Sequence, residues 1–255
     1  MVVLSPEQYS LVYNMFSFTI AAMLASLLFF ILSMQQVASE YRSALVMSAL
    51  VVAVAGYHYL RIFESWSGAY VVTESGYEPS LTAFNDAYRY VDWLLTVPLL
   101  VAELIAVIRP EKGAGAMTFR LAAAAALMIV LGYPGEISTD TGTRLVWGTL
   151  STIPFVYIVY VLFTQLTSSI ERQPGEAKVL VRNIRLLLLA TWGFYPIVYL
   201  LPVLGAGMDA ATLVAVQVGY CIADVAAKCG YGVMIYMIAR EKTKFAQMQV
   251  APAAA

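Results

Sequence analysis

Residues Phe84–Ile108 read FNDAYRYVDWLLTVPLLVAELIAVI, and this stretch decides the fold. It is apolar over a length that crosses a bilayer's hydrocarbon core, which takes about 20 residues, yet it carries Arg89, Asp92 and Glu103 within that length. Working outward, six more apolar runs appear: Tyr9–Gln36, Arg42–Phe63, Met117–Tyr133, Thr143–Leu166, Lys178–Leu204 and Ala210–Ile238. None alternates polar and apolar residues over ten-residue segments, so the spans read as helices rather than barrel strands. The expected fold is an all-α bundle of seven transmembrane helices.

Composition supports this and removes other classes. The chain has 255 residues, 61% hydrophobic and 12% charged, with a mean hydropathy of +0.76. A soluble domain is about 45–50% apolar and about 25% charged. Disorder, coiled coil, collagen and nucleic-acid binding each need charge or a repeat that is missing. A net charge of −1 implies no polyanionic partner. Cys221 and Cys229 lie in one apolar run; eight helical residues span roughly 12 Å, too far for a disulfide. With a single histidine and no C-x-x-C, metal and redox centres lose their support.

Short connections predict antiparallel neighbouring helices. The longest, Glu64–Ala83, has Gly68, Gly76 and Pro79 as breakers around Tyr70-Val-Val-Thr73, and reads as a β-hairpin between the second and third helices. Arg172–Lys178 is a polar linker. The N-terminus shows no basic region or cleavage site of a signal peptide, so Tyr9 onward reads as a true first span. The whole chain, 1–255, reads as one membrane domain with a frayed tail from about 247. With the N-terminus outside, the inner side holds Arg42, Arg109, Lys112, Arg120, Arg172, Lys178, Arg182, Arg185, Arg240, Lys242 and Lys244, eleven of the 15 Lys and Arg residues. The expected orientation is therefore N-terminus outside and C-terminus cytoplasmic.

A charge at the bilayer centre costs at least about 2.5–3.5 kcal/mol, so intramembrane ionisable residues mark function by default. They are Arg89, Asp92 and Glu103 in the third span and Asp224 and Lys228 in the seventh. At about 100° per residue, Asp92 and Glu103 differ by only about 20° around the helix and lie roughly 16 Å apart along it. Thr96 lies within about 40° of Asp92, so one stripe carries Arg, Asp, Thr and Glu, like stations on a proton path. Asp224 and Lys228 form an i,i+4 pair. A structural ion pair tying two helices is the alternative, but the charges do not balance. Glu103 has no basic partner on its own helix, and a lone carboxyl in an apolar setting favours its neutral form.

In the sixth span Trp192, Tyr195, Pro196 and Tyr199 fall on one face, joined elsewhere by Trp93 and Trp147. Such a stripe packs a core, or, beside an intramembrane lysine, lines a slot for an elongated apolar ligand. On these residues a solute transporter or receptor using the buried charges remains open. No nucleophile–base pair or metal set marks an enzyme.

The motifs Arg89-Tyr-Val-Asp-Trp-Leu-Leu-Thr-Val-Pro-Leu-Leu100 and Asp224-Val-Ala-Ala-Lys228 resemble those of the microbial rhodopsins, and the resemblance covers all seven spans. It implies all-trans retinal bound covalently to Lys228 as a protonated Schiff base, with Asp92 and Asp224 as counterions and Arg89 as their cationic neighbour. Trp93, Thr96, Met128, Gly132, Trp147, Ser151, Phe155, Trp192, Tyr195, Pro196 and Tyr199 match retinal-pocket positions. Leu100 matches the position where leucine favours green absorption and glutamine blue.

The set Asp92, Thr96, Glu103 is similar to that of the proteorhodopsin and xanthorhodopsin proton pumps. Chloride pumps lack the first carboxylate, sodium pumps follow an Asn, Asp, Gln pattern, and sensory members generally lack the last carboxyl. The resemblance thus implies an outward light-driven proton pump in a bacterial plasma membrane, not an enzyme, with Asp92 as proton acceptor and Glu103 as donor. The competing family reading is a photosensor acting through a membrane transducer. His58 matches the histidine that pairs with the acceptor, which predicts a His58–Asp92 hydrogen bond. Gly148 matches the glycine that opens a window for an antenna carotenoid; the plain alternative is a helix-packing glycine. The partners implied are lipids, protons and further copies of the chain in a pentamer or trimer. Archaeal pumps release their proton through two outer glutamates; here Pro202–Tyr220 holds only Asp209 among acids, so release takes a different route.

Overall fold

In a computed structural model describing residues 2–205 and 208–250, seven helices are long and apolar enough to cross a membrane. They are α1 (Pro6–Ser33), α2 (Arg42–Gly68), α3 (Tyr88–Ile108), α4 (Ala114–Glu136), α5 (Thr141–Thr164) and α6 (Ala177–Leu204), followed by α7. The last runs through Ala210–Asp224, a π-helical turn Val225–Gly230, and Tyr231–Val250. Seven helices and a small sheet are what the pattern predicted.

The helix starts follow local chemistry. Ser5 and Gln8 form a reciprocal capping box ahead of Pro6, satisfying two otherwise orphaned amides. Asp140 and Asp209 cap α5 and α7 by accepting from Thr143 N (2.6 Å) and Thr212 N (2.7 Å). Those backbone bonds hold both carboxyls below the usual aspartate range. Asp209 is thus occupied as a helix cap at the loop.

Between α2 and α3, β1 (Tyr70–Thr73) pairs antiparallel with β2 (Gly76–Pro79), Val72 opposite Tyr77. Leu4 adds a bridge to Tyr77 through two backbone bonds of 3.0 and 2.9 Å. Gly76, at φ +125°, sits so close to Leu4 O that a Cβ would fall 2.6 Å from it; only glycine fits this approach.

Two boundaries differ from the sequence reading. α3 begins at Tyr88, not Phe84, because Asn85 takes its own backbone out of the helix: its N–H donates to Ser65 Oγ (2.8 Å) and its Oδ1 accepts from Ala87 N (3.0 Å). The tail expected to fray from about 247 is helical through Val250; residues 251–255 lie outside the described ones. Thr243 Oγ1, accepting from Ala38 N at 2.9 Å, anchors that extension to the α1–α2 connection.

Burial is asymmetric, as a lipid-bathed bundle requires. α3 is the most enclosed helix, with 61% of its most apolar stretch buried, against 22% for α4 and α5. Apolar side chains such as Leu28, Leu32, Val130 and Ile153 remain exposed, which suits lipid. The interior that α3 passes through holds the ionisable residues.

Candidate functional site

Lys228 lies on the π-helical turn of α7, a helix defect that frequently marks a functional position. It is 2% exposed. Its Nζ lies 2.5 Å from Asp224 Oδ1 and 3.3 Å from Asp92 Oδ2. α3 and α7 thus bring one cation between two carboxylates: the spacing predicted the Asp224–Lys228 pair, and the family resemblance implied Asp92 beside it. A buried cation without such partners would cost several kcal/mol.

The two carboxylates differ. Asp224 accepts hydrogen bonds from Tyr59 OH (2.7 Å), Tyr195 OH (2.5 Å) and Trp93 Nε1 (3.2 Å) besides that of Lys228. It is a saturated anion locked by three helices. Asp92 lies within ion-pair distance of Lys228, but neither of its carboxylate oxygens has a well-aligned hydrogen-bond donor. The less constrained carboxylate is the one on α3.

One expected contact, the His58–Asp92 hydrogen bond, is corrected, and the surroundings of Arg89 and Thr96 are defined. His58 is buried on α2, but its Nδ1 lies 2.9 Å from Val54 O and its ring packs edge-on against Tyr57. The ring is committed to its own helix, and no His58–Asp92 hydrogen bond forms among the described residues. Arg89 is not bonded to Asp92 or Asp224. It stays their cationic neighbour, 5.8 Å over the ring of Tyr59 that bonds Asp224, while donating to Gln217 Oε1 (2.9 Å), lying 3.5 Å from Asp86 and stacking over the Tyr220 ring at 4.8 Å. Thr96 is buried but donates to the Asp92 backbone carbonyl at 2.9 Å, the i−4 bond of its own helix.

Glu103 is fully buried. Its Oε2 accepts from Ser48 Oγ at 2.6 Å, and its Oε1 has no partner. Ser48, Tyr59 and Gln217 went unnoticed in the sequence because uncharged polar residues in a span carry no signal of their own. Glu136 and Arg144 were also passed over. They form a largely buried pair (3.1 Å) at the Arg89 end of the bundle, and Arg144 also donates to Tyr199 O at 3.0 Å.

From Lys228 a cavity of about 110 Å³ runs between α3, α4, α5 and α6, many times the roughly 10–15 Å³ that one water occupies on the same measure. Trp93, Leu100, Met128, Gly132, Gly148, Ser151, Phe155, Trp192, Tyr195, Pro196 and Tyr199 line it, as expected, together with Tyr90, Val97, Ile129 and Tyr220. Thr96 and Trp147 do not reach the wall. Trp147 is one residue from Gly148, so its side chain turns about 100° away, and it packs its Cβ against Gly135 of α4. Two glycines keep the cavity open. A Cβ on Gly132 would sit 3.3 Å from Ser151 Oγ, and one on Gly148 would sit 2.8 Å from the Tyr199 ring. That ring is fixed by its own hydroxyl, which donates to Arg144 O at 2.7 Å.

A partly open aromatic slot ending on a lysine between two carboxylates fits an elongated apolar molecule held by an amine-derived bond. The unpartnered oxygens of Asp92 fit a cationic linkage at that end.

The family model described as bacteriorhodopsin-like protein matches residues 11–242. The structure is similar to that of xanthorhodopsin, a light-driven ion pump with dual chromophore. The two share 56% identity and a TM-score of 0.92 over 96% of this chain and 98% of that one. Thermophilic rhodopsin gives 48% identity and a TM-score of 0.92 over 96% and 98%. Green-light absorbing proteorhodopsin of the gamma-proteobacterium EBAC31A08 is 29% identical over 224 residues, 86% of this chain and 82% of the relative.

Proposed function

Because the chain belongs to the bacteriorhodopsin-like protein family, we propose that it is a light-driven outward proton pump, working as a single seven-helix domain in a bacterial plasma membrane. The observation that carries the proposal is the placement of Lys228 between Asp92 and Asp224 at the end of an aromatic cavity, with Glu103 farther along the helix that bears Asp92. All-trans retinal, bound covalently through Lys228, supplies visible absorption and a light-driven change of shape.

The protein's own groups do the rest. Asp224, held by Tyr59, Tyr195 and Trp93, keeps its charge and steadies the cationic linkage throughout. Asp92, free of such clamps and 3.3 Å from Lys228 Nζ, would accept the proton carried on the Lys228 nitrogen. Glu103, neutral in its apolar setting, returns a proton from the opposite side. The aromatic walls exclude water, so the proton has no short circuit across the middle of the bundle. Arg89, Gln217 and Asp86 lie on the outer side of Asp92 and form the polar way out. The N-terminus faces outside and the C-terminus the cytoplasm, where the basic residues collect.

Gly148 adds an antenna site: the gap beside the Tyr199 ring admits a carotenoid close to the cavity. Gly148→Trp is expected to abolish carotenoid-to-retinal energy transfer, and an unchanged excitation spectrum contradicts the window. Further copies of the chain assemble around lipid-facing surfaces as a trimer or pentamer.

Illumination of unbuffered cells containing the retinal-loaded protein tests the function. Sustained acidification of the medium that a protonophore abolishes is expected. Absence of any pH change overturns the pump in favour of a photosensor.

A further inference from the structure

We propose that a second cavity, at the Glu103 end of α3, is the vestibule from which Glu103 regains its proton, and that Lys242 is the positioning residue that seals it. The inference rests on the pump reading above and assigns its inner entry.

The cavity, of about 330 Å³, is lined by Tyr41, Ile108, Arg109, Arg172, Gln173 and Lys242, room for a cluster of waters. Its rim is open, since Arg172 and Arg109 are about half-exposed there and pair with Glu111 (3.1 Å) and Glu40 (2.6 Å). Its inner wall is shut. Leu104, Val107 and Ile108 are each at most 1% exposed, and Val107 lies one helical turn from Glu103, roughly 6 Å along the axis.

Here α3 stops. Arg109 takes φ 56° and ψ 71°, the only non-glycine positive φ among the described residues, a conformation that is costly outside glycine and asparagine. The last carbonyls of a helix lack intrahelical partners, and Lys242 supplies them. Its Nζ donates to Val107 O (2.8 Å) and Ile108 O (3.2 Å), and Gln173 Nε2 donates to Ile108 O as well (3.2 Å). Lys242 is only 8% exposed, rests 4.9 Å over the Tyr41 ring, and has no carboxylate within 4.0 Å among the described residues. A cation in the cavity wall on the Val107 carbonyl, one helical turn from Glu103 and with Glu40 as its nearest anionic influence, repels an incoming proton. It also pins the helix end that must loosen to admit one.

In the uptake step, hydronium in the vestibule gives its proton to the Glu103 carboxylate. One O–H bond breaks, one forms, and the water left behind exchanges with bulk. Lys242 touches neither group; it sets how readily they meet.

The experiment is deuterium exchange of the Glu103 carboxyl in darkness, followed by its infrared C=O band and assigned by loss of that band in Glu103→Gln. Lys242→Ala is expected to exchange at least about tenfold faster than the wild type, and Lys242→Arg at close to the wild-type rate. Loss of the cap loosens the same carbonyls, so Lys242→Arg, which keeps the charge and the donors, holds the wild-type rate, and an unchanged or slower rate in Lys242→Ala overturns the seal. If Lys242→Ala does not fold, Gln173→Leu removes the second donor. An exchange at least about twofold faster supports the proposal, and an unchanged one overturns it. The readout needs no light: lost acidification with altered exchange faults the pump reading, and intact pumping with unaltered exchange faults only the vestibule.

Discussion

The two buried carboxylates of α3 live in opposite surroundings. Around Asp92 the interior is crowded with charge and hydrogen bonds: Lys228, Asp224, Tyr59, Tyr195 and, one turn outward, Arg89 with Gln217. Around Glu103 there is one serine and a wall of aliphatic side chains. The same residue class on the same stripe of one helix is thus set for two tasks. An anion beside a cation is ready to accept a proton, and an isolated carboxyl in an apolar wall is ready to hold one. In the proposed pump, direction comes from this difference: the polar half would conduct outward and the dry half would admit protons through Glu103.

The largest expected effect breaks the polar half. Lys228→Ala removes the attachment amine, so added retinal gives no visible absorption band at all; a band that survives contradicts the site. The dry half is weaker but selective. Glu103→Gln is expected to slow recovery of the ground-state absorption after a flash by about a hundredfold, the lower end of what a positioned acid contributes. The colour stays unchanged, because Glu103 sits roughly 16 Å along the helix from Asp92. A shifted colour with normal recovery reverses the assignment. The smallest effect sharpens the contrast. Ser48→Ala removes the one hydrogen bond that Glu103 accepts, worth about 1 kcal/mol. Loss of that donor destabilises the Glu103 anion, so proton donation slows by about fivefold in flash kinetics, and faster donation argues against the bond.

Much of this was legible in the sequence because charge within an apolar run is expensive and therefore conspicuous. Arg89, Asp92, Glu103, Asp224 and Lys228 stand out on that ground alone, and helical spacing already put Asp92 and Glu103 on one stripe. The hairpin was legible from its glycine and proline breakers. What stayed hidden was set by helix rotation and side-chain direction between spans. Nothing in one strand of sequence says that Tyr59 reaches Asp224, that Ser48 meets Glu103 or that Lys242 caps α3. The same limit explains the corrections. His58 is in the right neighbourhood, but its Nδ1 lies on its own helix at Val54 O, and Trp147 faces α4 because its neighbour Gly148 faces the cavity.

Time-resolved infrared spectroscopy of the retinal-loaded protein reaches the central claim most directly, because it watches both carboxyls at once. After a flash, a protonated-carboxyl band that vanishes in Asp92→Asn is expected to rise first. The band that vanishes in Glu103→Gln is then expected to bleach and return before the Asp92 band decays. A Glu103 band that never bleaches, or that bleaches before Asp92 gains its proton, contradicts the division of labour between the two ends of α3.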